Sequence, residues 1–357
     1  MHNVAVVGGG PVGLLAAVLL AQGGVDVVVL ERRTEISGRP RAIGIHPPAV
    51  VALAAAGVDV TREGVRIEEG VARSDGRELG RMRFDDPGVF SLPQQRVQSM
   101  LRARLTELQP DALRLGRRAT GLARRVDRVE ILGTDVGARV VVGADGVDST
   151  VRRAAGIPWH TRPGRASYAM SDVDDARLPG LAVLSFERGG VVESFPLPGG
   201  QRRWVALLTG ESGEPDLARI VRERTGHELA ADASVSVFAA RQNLAARFVD
   251  RGVVLIGDAA HEVSPIGGQG LNLGWLDAHA LARLLLQNPT PTAGEWRRFE
   301  RSRQASARRA QAQARFNMRF GRALPAPLHR ARVLGIRMLT LPPARALLAD
   351  AFTMRRL

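Results

Sequence analysis

Three clusters of glycine and carboxylate residues carry the chemistry available to this sequence. The first is Gly8-Gly9-Gly10-Pro11-Val12-Gly13, in which Gly8, Gly10 and Gly13 fit G-x-G-x-x-G. In that pattern the first glycine permits a tight turn, the second lets a pyrophosphate approach the backbone, and the third lets a helix pack closely on a strand. The helix that opens through Pro11 and Val12 turns its electropositive N-terminus toward the phosphates. Glu31, followed by Arg32, lies eighteen residues past Gly13. A carboxylate there accepts hydrogen bonds from both ribose hydroxyls and repels a 2′-phosphate, which suits FAD or NAD better than NADP.

The second cluster is Gly143-Ala144-Asp145-Gly146, at the end of the apolar run Val140-Val141-Val142 and ahead of Asp148-Ser149-Thr150-Val151-Arg152. Taken alone it reads as a strand-end turn with a capping aspartate or serine. The third is Gly257-Asp258-Ala259-Ala260-His261, after Val253 to Ile256, leading through Pro265 and Gly267-Gly268-Gln269-Gly270-Leu271-Asn272 into a helical stretch. Asp258 can accept hydrogen bonds from a polyol chain. The helix start near Gly270 to Asn272 can stabilise negative charge on the N1/C2 carbonyl edge of a reduced isoalloxazine.

The elements that must position these clusters follow from periodicity. Val4 to Val7, the glycine turn, Leu14 to Ala21 and Val25 to Leu30 read as strand, turn, helix and strand, a βαβ unit. Val65 to Phe84 alternates about Asp75-Gly76 as a hairpin, and Ser167 to Val237 reads as strands with turns at Gly189-Gly190 and Gly199-Gly200. The expected fold class is α/β; the family resemblance that the three clusters carry implies a Rossmann-type FAD-binding domain with an interleaved, mostly antiparallel β-sheet substrate domain and a C-terminal helical segment. The expected boundaries are 1–64, 92–156 and 245–290 for the discontinuous FAD-binding domain, 65–91 and 157–244 for the substrate sheet, and 291–357 for the helical region. A substrate cavity between the two domains is expected to be lined by Phe186, Phe195, Trp204 and Phe238.

Composition removes several chemistries. The 357 residues contain no cysteine, which excludes disulfides, thiolate metal sites, a thiol nucleophile and a cysteinyl-flavin bond. All 50 basic residues are arginine, so no lysine Schiff base is possible. The charge of +14 and the late cluster Arg297-Arg298, Arg301, Arg303, Arg308-Arg309, Arg315, Arg319 and Arg322 read as a solvated basic helix face. With one tyrosine, 4% aromatics and no nucleic-acid module, a nucleic-acid partner is not expected. No long apolar run signals a membrane span or signal peptide; a cytoplasmic monomer or homodimer is expected, with peripheral membrane contact the only membrane association left open. The seven histidines form no metal constellation, and no metal is expected.

Together the three clusters make the sequence resemble the single-component flavoprotein aromatic hydroxylases, the family of para-hydroxybenzoate hydroxylase. The resemblance implies non-covalent FAD, with Glu31 on the adenosine ribose, Asp145 and Gly146 near the pyrophosphate, and Asp258 on the ribityl chain. Pro265 would border the substrate pocket facing the flavin ring. Arg41, in Arg39-Pro40-Arg41, matches an arginine of the loop after the second strand, and Gln94 matches a glutamine that contacts the flavin nucleotide. His46, before Pro47-Pro48, joins Pro265 and Arg41 as a pocket candidate, with no catalytic side chain assigned.

The family takes hydride from transiently bound NAD(P)H without a second Rossmann unit. Oxygen then adds at flavin C4a, and the hydroperoxide hydroxylates a small aromatic or polyketide-like substrate. The absence of lysine and of a W-x-W-x-I-P motif argues against a flavin halogenase. The alternatives are a flavin-dependent reductase or desaturase on the same scaffold, or a non-catalytic FAD-binding protein.

Overall fold

The computed structural model describes residues 2–35, 42–162, 166–210, 214–230, 234–342 and 353–354. The apolar runs Val4–Val7, Val27–Leu30 and Val140–Val142 become neighbouring parallel strands, because both faces of the sheet they form are covered. The strand order is Val249–Asp250, Val253–Leu255, Gly137–Gly143, His2–Val7, Val27–Leu30 and Leu113–Arg114. Strands Val129–Leu132 and Gly121–Arg124 extend it antiparallel from Gly137–Gly143.

Helix α1, Pro11–Gln22, is apolar on every side and nearly all buried, as befits a helix enclosed on every side. It packs on the sheet, on α3 (Gln94–Leu108) and on α6 (Gln269–Gln287). Helix α2, Pro47–Ala55, closes the same face through Ala49, Ala52 and Leu53. The opposite face carries α4 (Thr150–Ala154) and the middle of α7 (Ala293–Phe320), through Val151, Ala307, Ala310 and Ala314.

A second, seven-stranded sheet runs in the order Ser236–Ala239, Ser167–Asp174, Gln201–Leu208, Gly190–Pro196, Leu181–Glu187, Glu69–Ser74 and Arg77–Arg83. It is antiparallel except where Glu69–Ser74 runs parallel to Leu181–Glu187. The hairpin turns at Asp75 and Gly76, both with φ near +50 to +70° (49° and 71°). The hairpin is shorter than its alternating pattern, because Val65–Ile67 pairs with Val89–Ser91 in a separate small sheet with Gly44–Ile45. One face of the large sheet is sealed by α5 (Leu217–Thr225), with Trp204 against Leu217, Ile220 and Val221.

Helix α7 joins the two halves. A capping box at Thr292 and Glu295 starts it, and Gly321, just past its end, accepts a 2.8 Å bond from the backbone N–H of Val191 on the large sheet. Helix α8, Ala326–Leu339, then lies along Arg77–Arg83. The last part of the helical region expected over 291–357, residues 343–352 and 355–357, lies outside the described residues. Among the described residues, no helix is long and apolar enough to cross a membrane.

The glycines of the first motif separate into packing and binding positions. A Cβ on Gly13 would stand 2.1 Å from the carbonyl oxygen of Gly8, whereas one on Gly10 would meet nothing within 4 Å. Gly13→Ala is therefore expected to lower unfolding stability by about 2 kcal/mol, and Gly10→Ala to leave it within about 1 kcal/mol of the parent protein. Denaturant unfolding of the two apo variants checks the contrast, and equal stabilities would show that the close approach is not limiting.

Candidate functional site

The C-terminal ends of the parallel strands open on one continuous cavity of about 880 Å³, which extends to the uncovered face of the large sheet. At one end stands the N-terminus of α1. Gly10 is its N-cap with no side-chain cap, so the first-turn N–H groups have no side-chain acceptor. Glu31 frames this turn: Oε2 accepts from the Gly9 N–H at 2.8 Å and Oε1 from the Arg33 N–H at 2.9 Å. Each oxygen keeps a further lone pair for a ribose hydroxyl. Gln98 Nε2 donates to the Gly9 carbonyl at 2.8 Å, fixing the turn from α3. Sequence reading passed over Gln98; its signal is the four-residue spacing from Gln94, which puts both on one face of α3.

Along the middle of the cavity lie Gly8, Pro11, Val12, Arg32, Gln94, Asp145, Gly146 and Asp258. Asp145 sits on this wall, but its carboxylate is engaged in structure. It accepts from Ser149 Oγ at 2.5 Å and from the N–H groups of Thr150 and Val151 at 2.7 and 3.2 Å, so it caps α4. Only its outer surface and the Gly146 backbone, with φ of 82°, face a ligand. Asp258 is exposed on the wall within the turn Gly257–Ala259.

That turn is held from below. Asp277 Oδ2 accepts from the Gly257 N–H at 3.1 Å and pairs with His261 Nε2 at 2.5 Å, while Arg303 Nη1 lies 3.8 Å from Oδ1. His261 is completely buried, so its place in the motif is to brace the Asp258 turn. Sequence reading placed Arg303 on the solvated basic face of the late arginine cluster, but its side chain is only 11% exposed and turns inward toward Asp277, which no local pattern marked.

The second uncapped N-terminus belongs to α6, whose N-cap Gly268 has φ of 65° and follows Gly267 with φ of 88°. Pro265, Gly268, Gly270 and Leu271 line the cavity here. Asn272 does not. It is buried, accepting from the His46 N–H at 2.8 Å and donating to the carbonyls of Gly44 and Gly268 at 2.9 and 2.7 Å. It thereby staples the loop before α2 to the start of α6. Gly13 is likewise off the wall, packed between strand and helix. Arg41 lies outside the described residues.

His46 does line the cavity, with Nε2 3.3 Å from the Gly267 carbonyl. Burial pushes its pKa down to about 4, against a smaller upward pull from that carbonyl. It is a neutral imidazole in the physiological range.

The far end is a chamber walled by side chains. Phe186, Phe195 and Phe238 are on it, but Trp204 is not. Along Gln201–Leu208 alternate residues face opposite ways, so Arg203 and Val205 face the cavity while Trp204 packs under α5 and against the His227 ring at 4.6 Å. Phe316 and Phe320 of α7 complete the aromatic wall, with Phe320 edge-on to Phe186 at 5.5 Å. Among the described residues no cluster of His, Cys, Asp and Glu could hold a metal ion.

The arrangement fits an extended dinucleotide. Two uncapped helix N-termini offer donors for anionic groups, glycine leaves the approach open, and carboxylates at Glu31 and Asp258 stand where sugar or polyol hydroxyls would be.

Comparison with known proteins agrees. The family described as FAD binding domain matches residues 1–316. Rifampicin monooxygenase of Streptomyces venezuelae is 32% identical over 310 residues, covering 79% of this chain and 63% of the relative. The chain therefore spans less than two thirds of that relative's length. Para-nitrophenol 4-monooxygenase of Pseudomonas sp. strain WBC-3 is 30% identical over 327 residues, covering 80% of this chain and 78% of the relative. The solved structure of p-nitrophenol 4-monooxygenase from Pseudomonas putida DLL-E4 superposes with a TM-score of 0.87 at 23% identity, covering 100% of this chain and 99% of the other. The expected fold, a flavin-binding α/β domain with a substrate sheet, is the fold of these proteins.

The depressed pKa of His46 has a stability consequence with a definite sign. The unfolded imidazole takes up a proton below its ordinary value of 6.5 while the folded one resists until about 4. Stability due to this site is thus full above pH 6.5 and is lost as pH falls toward 4, by roughly 3 kcal/mol over that window. Unfolding curves of the parent and of His46→Gln between pH 7 and 4.5 check this; the parent should lose stability faster on acidification. An NMR titration showing His46 protonating near pH 6.5 would contradict it.

Proposed function

The chain belongs to the FAD binding domain family, so its cofactor is FAD, and on that premise we propose that it is an NAD(P)H-dependent monooxygenase acting on a small aromatic or polyketide-like substrate. The observation that carries this reading is the continuity of the cavity. The same space that begins at two backbone-built, anion-favouring turns ends in an apolar, aromatic chamber walled by the large sheet and α7. A redox cofactor held at the turns and an apolar substrate held in the chamber share one compartment. Two relatives named as monooxygenases, of rifampicin at 32% identity and of para-nitrophenol at 30%, support the same class.

Bound FAD supplies the hard chemistry, accepting hydride and activating oxygen. The remaining tasks belong to the chain. Gly8 and Gly10 let the pyrophosphate reach the start of α1, with Pro11, Val12, Asp145 and Gly146 beside it, and Glu31 with Arg32 holds the adenosine end. Gln94 lies beside the nucleotide, and Asp258 accepts from the ribityl hydroxyls. The start of α6 at Gly268, Gly270 and Leu271, positioned by Asn272, stabilises negative charge on the reduced ring. Pro265 and neutral His46 border the reacting face. The apolar side chains of the chamber would limit water at the reacting face, which protects an oxygenating species from wasteful decay.

FAD-loaded protein, offered NADH or NADPH and a panel of phenols and aromatic polyketides, is expected to consume oxygen faster when a panel member binds, with a product heavier by one oxygen. Oxidation of NAD(P)H that no substrate stimulates would count against the proposal. Asp258→Ala is expected to weaken FAD binding by about tenfold or more, the loss of a charge-assisted hydrogen bond. Fluorescence titration of the apoprotein with FAD measures it, and an unchanged affinity would remove Asp258 from the cofactor site.

A further inference from the structure

On the chamber wall stands a carboxylate, Glu193, that no hydrogen bond or ion pair among the described residues accounts for. Glu193 sits in the centre of Gly190–Pro196, flanked across the sheet by Leu184 on one side and Val205 on the other, with Met170 beyond Val205. It faces the cavity with Val191 and Phe195, its neighbours two residues away along the strand. Val191 and Val205 belong to the apolar cluster that includes Ile266, next to Pro265, so this part of the sheet lies against the start of α6. Glu193 is 7% exposed, and among the described residues no hydrogen-bond or ion-pair partner reaches its carboxylate. A buried, unpaired carboxylate is costly, and proteins seldom keep one without a use.

The neighbouring charges do not serve it. Arg203 faces the same cavity but is engaged by Asp172 through two bonds of 2.6 and 2.7 Å. Arg81, on the strand at the sheet edge, is paired with Glu69 and Glu78. Tyr168, on the same sheet, has a buried hydroxyl without a partner among the described residues, and its ionisation is pushed up by burial and then by the charge of Glu193. Across the cavity stand neutral His46 and Glu262, the latter bonded by Asn243. No residue in this set would keep a proton donor from the substrate out of reach of Glu193.

We propose that Glu193 is the substrate-recognition residue of the chamber, accepting a hydrogen bond from a hydroxyl on the substrate ring. This rests on the monooxygenase reading only for the word substrate; the recognition itself is a binding property. Accepting the hydroxyl hydrogen also raises electron density on the ring. Burial pushes the Glu193 carboxyl up to about 7. Its ionised form, the acceptor, therefore fills as pH rises through neutrality, and binding of a neutral phenol strengthens about tenfold between pH 6 and 8.

The test uses FAD-loaded parent protein and Glu193→Gln, with 1-naphthol and 1-methoxynaphthalene as probes, read by perturbation of the flavin absorbance and repeated with one- and three-ring phenols and their methyl ethers. The parent is expected to prefer phenols over their ethers by about tenfold or more, with the stated pH dependence. Glu193→Gln should lose most of that preference and the pH dependence while retaining FAD and its thermal stability. Should the variant misfold, the phenol-to-ether preference and pH profile of the parent alone still decide. Equal affinity for phenol and ether, a pH-independent preference, or no binding of any probe would overturn the proposal. Phenol binding with this pattern but no oxygen consumption would instead remove the monooxygenase reading and leave Glu193 in its role.

Discussion

The structure depends on the contact of three backbone turns around the start of one helix. A Cβ on Gly8 would fall 2.4 Å from the carbonyl oxygen of Ala144, and Val12 is enclosed by Gly257 and Gly274, where added Cβ atoms would lie 3.1 and 2.6 Å from its methyl groups. Trp275 Nε1 donates to the Pro11 carbonyl at 3.2 Å, pinning α6 to the first turn of α1. This packing brings the ends of strands His2–Val7, Gly137–Gly143 and Val253–Leu255 to one place. Their turns then open on one space, which is how strand ends in a parallel sheet become a dinucleotide site.

The two ends of that space are built by different means. The cofactor end is made of backbone, and the side chains near it are spent on bracing it: Asp277 and His261 under the Asp258 turn, Asn272 under the His46 loop, Ser149 and Asp145 on α4. Hydrogen bonds between buried polar groups of this kind hold the turns in one geometry. The substrate end is made of side chains on a sheet and on α7. Those can change without disturbing the cradle, which is how one scaffold accommodates different substrates.

Much of the cofactor end was legible in the sequence because its constraints are local. Tight turns demand glycine, a buried parallel strand demands a continuous apolar run, and both show as short strings. The βαβ unit, the three turns and the hairpin at Asp75-Gly76 follow from such strings. What sequence missed is set by partners distant in the chain. Trp204 belongs to the α5 interface and not to the chamber, because the phase of the strand puts its neighbours Arg203 and Val205 inward. Asn272 appears beside the cofactor motif, yet its bonds go to a loop more than two hundred residues earlier. Glu193 has no motif at all; it becomes conspicuous only when its cross-strand neighbours prove apolar and unable to pair with it.

The proposed function requires that one compartment bring bound FAD and an aromatic substrate together so that oxygen passes from O2 to the ring. Incubation of the FAD-loaded protein with NAD(P)H, a phenolic substrate and isotopically labelled O2, followed by mass spectrometry of the product, tests that requirement directly. One labelled oxygen atom is expected in the product, with the second in water. A product carrying unlabelled oxygen from water, or a reduced product carrying none, would contradict it.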